Sequence, residues 1–170
     1  MQSTGEKIIL THAHMDHCAA SDVLRQQLGV PIEGPHREDD FWLQKLPESC
    51  RMSGFPPAQV FVPDRWLEQG DTVTVGEQVL QVLHCPGHTP GHVVFIHAPQ
   101  KVAWVGDVLF HGSIGRSDFP RGNHDELVAS IREKLFPLGD DITFVPGHGP
   151  TSTFGNERRN NPFVADSRYG

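Results

Sequence analysis

Four short apolar runs in this chain each end in residue types that grip metal ions, and this repeated junction narrows the folds open to it. Lys7-Ile8-Ile9-Leu10 leads through Thr11 into HAHMDH, and Gln78 to Leu83 leads into HCPGH. Val102-Ala103-Trp104-Val105 leads into Gly106-Asp107, and Ile142-Thr143-Phe144-Val145 into Pro146-Gly147-His148. Runs rich in β-branched and aromatic residues, closed by Gly, Pro or Asp, read as strands. A sheet would hold their ends rigid while the loops beyond converge, and that is where function gathers.

The connectors fit an α/β domain of packed layers. Asp16 to Leu28 reads as one helix, with Ala20, Val23, Leu24 and Leu28 on a stripe and Gly29 as its cap. Asp39 to Leu46 predicts a short helix, and the Pro/Gly-rich stretch from Pro47 to Pro63 a loop. Gly76-Glu77 marks one hairpin turn, and Ala98 to Lys101 another, between His92–His97 and Val102–Val105. Asn123 to Phe136 predicts an amphipathic helix with Leu127, Ile131 and Leu135 on its inner face. No repeat or low-complexity linker divides the chain, so residues 1–170 are expected to form a single domain.

Composition removes several function classes. A net charge of -7 argues against nucleic acid or an anionic membrane surface as partner, since either calls for a basic face. No apolar run is long enough to span a bilayer, and the amino terminus lacks a signal h-region. Three cysteines without a pairing pattern suit a reducing compartment, so a cytoplasmic location is expected. Cys18 and Cys85 flank the ligand motifs and read as small buried hydrophobes.

The chain holds 11 histidines, and their placement is more telling than their number. His12-x-His14-x-Asp16-His17 is expected on the order of 10⁻³ times by chance in a chain this long and this rich in histidine. Alternate side chains of an extended segment share a face, so His12 and His14 can grip one ion. Where the chain turns into a helix, Asp16 and His17 point elsewhere and can hold a second. His88, Asp107 and His148 follow the other strands, and the two oxygens of Asp107 can bridge two cations. Gly87, Gly106 and Gly147 precede these three, which predicts close backbone approach to the ions. A His/Asp set without thiolate suits Zn²⁺ first, then Fe²⁺ or Mn²⁺.

HAHMDH, PGHTPGH, GD and PGHGP, in this order, resemble the metallo-β-lactamase superfamily. LHCPGHTPGHVVF, GRSDFPRG, FPLGDD, PGHGPTST and NPF resemble its single-domain glyoxalase II-type members, the likeness running from about Leu10 to Phe163. The resemblance implies an αββα sandwich that lacks the usual first strands, and no C-terminal helical glutathione-binding domain. The edge thereby left open beside Lys7 to Leu10 would favour self-association or easy melting.

The same resemblance implies a dinuclear centre. His12, His14 and His88 would hold the first ion, and Asp16, His17 and His148 the second, with Asp107 shared. His92 matches a family histidine that supports the ligands, Arg116 a basic position that contacts glutathione, and Asp118 replaces an expected aromatic. The implied activity is hydrolysis of thioesters such as S-lactoylglutathione by a water that the ions activate and Asp16 orients. Alternatives are an iron-dependent persulfide dioxygenase, a β-lactam hydrolase, or a metal-holding remnant without turnover.

Overall fold

The structure, a computed structural model, describes residues 6–169. Its main sheet has six strands in the order β10-β9-β6-β5-β4-β3. These are β3 (Thr72–Val75), β4 (Gln78–His84), β5 (Val93–His97), β6 (Val102–Gly106), β9 (Thr143–Pro146) and β10 (Ser152–Thr153). All neighbours are antiparallel except β6 and β9, which run parallel. Both predicted hairpins form, the first with Val75 opposite Gln78 and the second with His97 opposite Val102.

A second, smaller sheet pairs β1 (Ile8–Ile9) with β2 (Ile32–Glu33) in parallel. Strand alternation places this sheet between two cores. Ile8 and Leu10 pack with Ile32, Leu43, Leu46 and Cys50 beneath the helices, whereas Ile9 packs toward Val73, Val82, Val93 and Phe95 of the main sheet. The opposite face of the main sheet buries Val94, Ile96, Ala103, Val105 and Phe144 against Leu127, Ile131, Leu135 and Phe154. All five residues of β5 are therefore buried, since both of its faces are covered. Helices, small sheet, large sheet and helices follow one another, which is the αββα order. Among the described residues the small sheet is two strands wide, and Trp104 on β6 stays 38% exposed.

The helices depart from the sequence reading in three places. The predicted Asp16–Leu28 helix is two, α1 (Met15–Cys18) and α2 (Ser21–Leu28), with Gly29 in the left-handed cap at φ 65. Its apolar stripe faces outward, with Val23, Leu24 and Leu28 exposed. Instead Arg25 docks the helix, reaching the Val62 carbonyl and Asp64. Second, α3 (Asp40–Gln44) is followed by α4 (Leu46–Met52), which occupies the start of the expected loop. Pro47 lies in the first turn of α4, where a missing N–H costs nothing. Third, α5 (His124–Ala129), capped by Asn123, widens into a π-helical stretch over Ser130–Leu135. Two short strands, β7 (Leu109–Phe110) and β8 (Ser113–Ile114), form a hairpin, and α6 (Phe154–Asn160) and α7 (Asp166–Tyr169) close the chain. Among the described residues no helix is long and apolar enough to cross a membrane.

Candidate metal centre

Every ligand-type residue read from the motifs arrives from the end of a strand. His12 and His14 follow β1, and Asp16 and His17 lie in α1, whose N-cap is His14 in extended geometry. His88 lies beyond β4, Asp107 just past β6 and His148 just past β9. They converge as two groups, His12 with His14 and His88, and Asp16 with His17, Asp107 and His148, each group's ligand atoms within 4.8 Å of one another.

Asp107 joins the groups. Its Oδ2 is 3.0 Å from Nε2 of His17, 3.5 Å from that of His88, and 3.6 Å from those of His12 and His148. Asp16 Oδ2 is 3.3 Å from both His17 and His148.

The fit to metal is tested by what the protein leaves unsatisfied. Nε2 of His12, His14 and His88 and Oδ1 of Asp107 are buried without a hydrogen-bond partner. Buried polar atoms are rarely orphaned without a reason. Three imidazole nitrogens and a carboxylate oxygen facing one small space are a donor set for divalent cations. The tautomer suits this role, because His88 Nδ1 donates to the Arg116 carbonyl at 2.7 Å and so leaves Nε2 with its lone pair outward. His12 Nδ1 is likewise engaged, 2.9 Å from Thr11 Oγ1.

Burial also keeps these rings neutral. Desolvation pulls His12 down to about 3 and His14 to about 4, and lowers His88. His17 behaves oppositely: burial lowers it, but hydrogen bonds to Asp107 and Asp16 outweigh burial and raise it to about 9. Asp16, bonded to His17, falls to about 2, and Asp107 lies far below the usual carboxylate range despite its burial.

A raised pKa means that the His17 proton stabilises the metal-free fold below about 6.5, and that this contribution is lost as pH rises through about 9. An ion in the second group must displace that proton; the first group has none to lose. The second ion should therefore load increasingly between about pH 6.5 and 9, while the first is nearly pH-independent there. Elemental analysis after equilibration with limiting metal at each pH checks this. Parallel loss of both ions toward acid would contradict it.

The glycine before His148 lies close against the ligand groups as expected, whereas the other two have different neighbours. At Gly147 a Cβ would come within 2.5 Å of Asp107 Oδ1 and 2.7 Å of His17 Cε1, so its bareness makes room for ligand side chains. A Cβ on Gly106 would meet His92 and Thr11 instead, and one on Gly87, at φ +137, would overlap the Leu127 main chain. Gly87→Ala should thus push the His88 loop off α5, costing about 2–5 kcal/mol in urea unfolding from strain and overpacking together. A near-neutral change would show that the loop is not seated on the helix.

His92 lies directly behind two of the ligand-type residues. Its Nε2 accepts the Asp107 N–H at 3.2 Å, and its ring stacks on His12 at 4.5 Å. Cys18 and Cys85 are buried thiols pushed up to about 12, inert as nucleophiles.

Asp39 was missed. Wholly buried, it accepts from Ala13 N (3.0 Å), Thr89 Oγ1 (2.8 Å) and Gly91 N (2.6 Å). One carboxylate thus ties the His12–His14 segment to the loop that carries His88 and His92. The Thr/Gly pattern around His88 hints at a docked loop, but nothing in the local sequence of Asp39 marks it as the anchor. Arg116 lines the cavity beside the ligands, yet its guanidinium is held by both oxygens of Asp118, at 3.0 and 2.8 Å.

Four layers with two ligand groups at their strand ends define a metal-dependent hydrolase, and the chain belongs to the metallo-beta-lactamase superfamily, whose family pattern matches residues 3–148. Its relatives narrow the picture further. Over 158 residues it is 48% identical to the hydroxyacylglutathione hydrolase GloC of Haemophilus influenzae, covering 92% of this chain and 74% of that protein. The crystal structure of BLEG-1 B3 metallo-beta-lactamase superposes with a TM-score of 0.85 at 39% identity, covering 95% of this chain and 78% of the other. TTHA1623 in a di-iron-bound form follows with a TM-score of 0.84 at 39% identity, covering 93% and 77%.

Proposed function

We propose that this enzyme hydrolyses glutathione thioesters such as S-lactoylglutathione at a centre of two divalent ions. The observation that carries the reading is Asp107 Oδ2, which faces four imidazole nitrogens from both ligand groups within 3.6 Å. A carboxylate so placed suits two ions. His12, His14 and His88 would hold one, and Asp16, His17 and His148 the other, with Asp107 shared. Two such ions, when bound, polarise a carbonyl and lower the pKa of an adjacent water.

The chain's own groups supply position. Asp16, about two-fifths exposed at the cavity floor, orients the attacking water through its carboxylate. The water oxygen bonds to the carbonyl carbon, the C–S bond breaks, and the thiolate leaves with the electron pair. One proton of the water goes to solvent as it is activated, and the second, from the new carboxylic acid, to the departing thiolate or to solvent. A thiolate leaves readily near neutral pH, so no strong general acid is required, and neither Cys18 nor Cys85 is needed as nucleophile. The 48% identity to a hydroxyacylglutathione hydrolase supports this substrate class.

One preparation tests the reading. Elemental analysis should find two ions per chain, Zn²⁺ or Fe²⁺. S-lactoylglutathione should be consumed, and His14→Ala should lower turnover at least ~10²-fold. A single iron with oxygen uptake on glutathione persulfide, and no thioester loss, would replace the hydrolase with a dioxygenase. Turnover of a chromogenic β-lactam in place of the thioester would point to the lactamase branch.

A further inference from the structure

A cavity of about 590 Å³ opens directly above the ligand groups, its floor made by His14, Asp16, His88, Asp107 and His148. Its walls are mainly apolar, made by Met15, Trp42, Met52, Phe55, Phe110 and Phe119, with Ser49, Ser53 and Arg116 among them. Met52 at 77% exposure and Phe55 at 42% stand in solvent at the rim, where large apolar groups mark a binding surface.

We propose that this wall is an acyl subsite, and that the enzyme favours thioesters with an apolar or aromatic acyl group over small hydroxyacyl ones. The inference rests on the thioester reading above and names the substrate class within it. The floor fixes the occupant, because a molecule in this cavity must lie against the ligand residues and is therefore the one being hydrolysed.

Geometry selects the acyl arm. The Trp42 ring stands edge-on to His14 at 4.6 Å, and the Phe119 ring does so at 5.0 Å. The first side chains that a group attached to the carbonyl meets are thus aromatic. The glutathione arm suits the wall poorly, since it carries two carboxylates and an ammonium. The one guanidinium or ammonium group among the described lining residues is Arg116, and Asp118 already pairs with it. A lactoyl group is too small to cover these rings and would leave them wet. A phenyl ring would cover them and gain both apolar contact and edge-to-face packing.

The test uses the metal-loaded enzyme with phenylacetylglutathione and S-lactoylglutathione, alone and in the double variant Met52→Ser/Phe55→Ser, both changes being at exposed rim positions. One added methylene in an apolar pocket discriminates about 10–200-fold, so kcat/KM should favour phenylacetyl at least ~10-fold. That ratio should fall toward one in the double variant. Equal kcat/KM for the two substrates, or a preference that survives in the double variant, would overturn the subsite while leaving thioester hydrolysis standing.

Binding of 4-phenylbutanoate and butanoate, measured by calorimetry, separates the two readings should no thioester be turned over. Tighter binding of the phenyl compound, lost in the double variant, keeps the subsite and refutes only the reaction. Equal binding of both acids refutes the subsite.

Discussion

Asp107→Asn is expected to cut turnover about 10³-fold while leaving the fold in place. The substitution keeps the shape and the main chain, so the bond from Asp107 N to His92 and the packing of β6 are untouched. It removes the only charge common to both ligand groups, the oxygen within 3.6 Å of four imidazoles. Charge stabilisation by such a centre is worth several kcal/mol in the transition state, and each 1.36 kcal/mol is tenfold in rate. Losing about 4 kcal/mol means a fall of about 10³-fold in kcat/KM. The second ion should be lost with it, because His17 keeps only Asp16 as carboxylate partner. Metal counting, thioester kinetics and a urea curve on one sample check all three expectations. A variant that retains two ions and a tenth of the wild-type activity would remove Asp107 from the centre of the mechanism.

The part of the structure legible in the sequence is the part where local chemistry and long-range position coincide. HAHMDH announces itself because strand alternation and the turn into α1 fix where four side chains point without help from the rest of the chain. His88, Asp107 and His148 were legible because each follows a strand whose apolar pattern is unambiguous. What failed depends on tertiary docking. The stripe of Val23, Leu24 and Leu28 has helical spacing, but α2 is held by the Arg25 bonds and turns that stripe outward. The glycines before the ligands were read as openings toward ions, yet Gly87 makes room for α5, an element about forty residues later that no spacing rule connects to it. Arg116 was read as a glutathione contact from its motif, and its pairing with Asp118 depends on a loop conformation that the motif does not fix.

Asp39 is the case in which tertiary structure alone reveals a functional contribution, and its removal should separate folding from metal binding. Burial pushes its carboxyl up to about 6 despite three hydrogen bonds. A folded pKa above the ordinary carboxyl value gives a stabilising contribution present below about 3.8 and lost as pH rises through about 6. At neutral pH the fold thus carries a buried carboxylate that costs stability as a charge, and it is retained for its three hydrogen bonds. Asp39→Ala leaves the Ala13 and Gly91 N–H groups dry and unpaired, at about 1–3 kcal/mol each. Urea unfolding should show a loss of about 3 kcal/mol. Asp39→Asn keeps the volume and one accepting oxygen, so it should fold better, but its amide N–H₂ meets one of the same donors and loosens one clamp. The oxygen stays with Ala13 N and Thr89 Oγ1, which share Oδ2, so the clamp lost is the one on Gly91 N, in the loop between His88 and His92, and slack there shifts His88 within the first ligand group. Chelator competition on Asp39→Asn should therefore show metal affinity down about 10–100-fold, the range for groups that orient ligands. Wild-type affinity in Asp39→Asn, alongside the stability loss in Asp39→Ala, would make Asp39 a packing residue with no part in the metal centre.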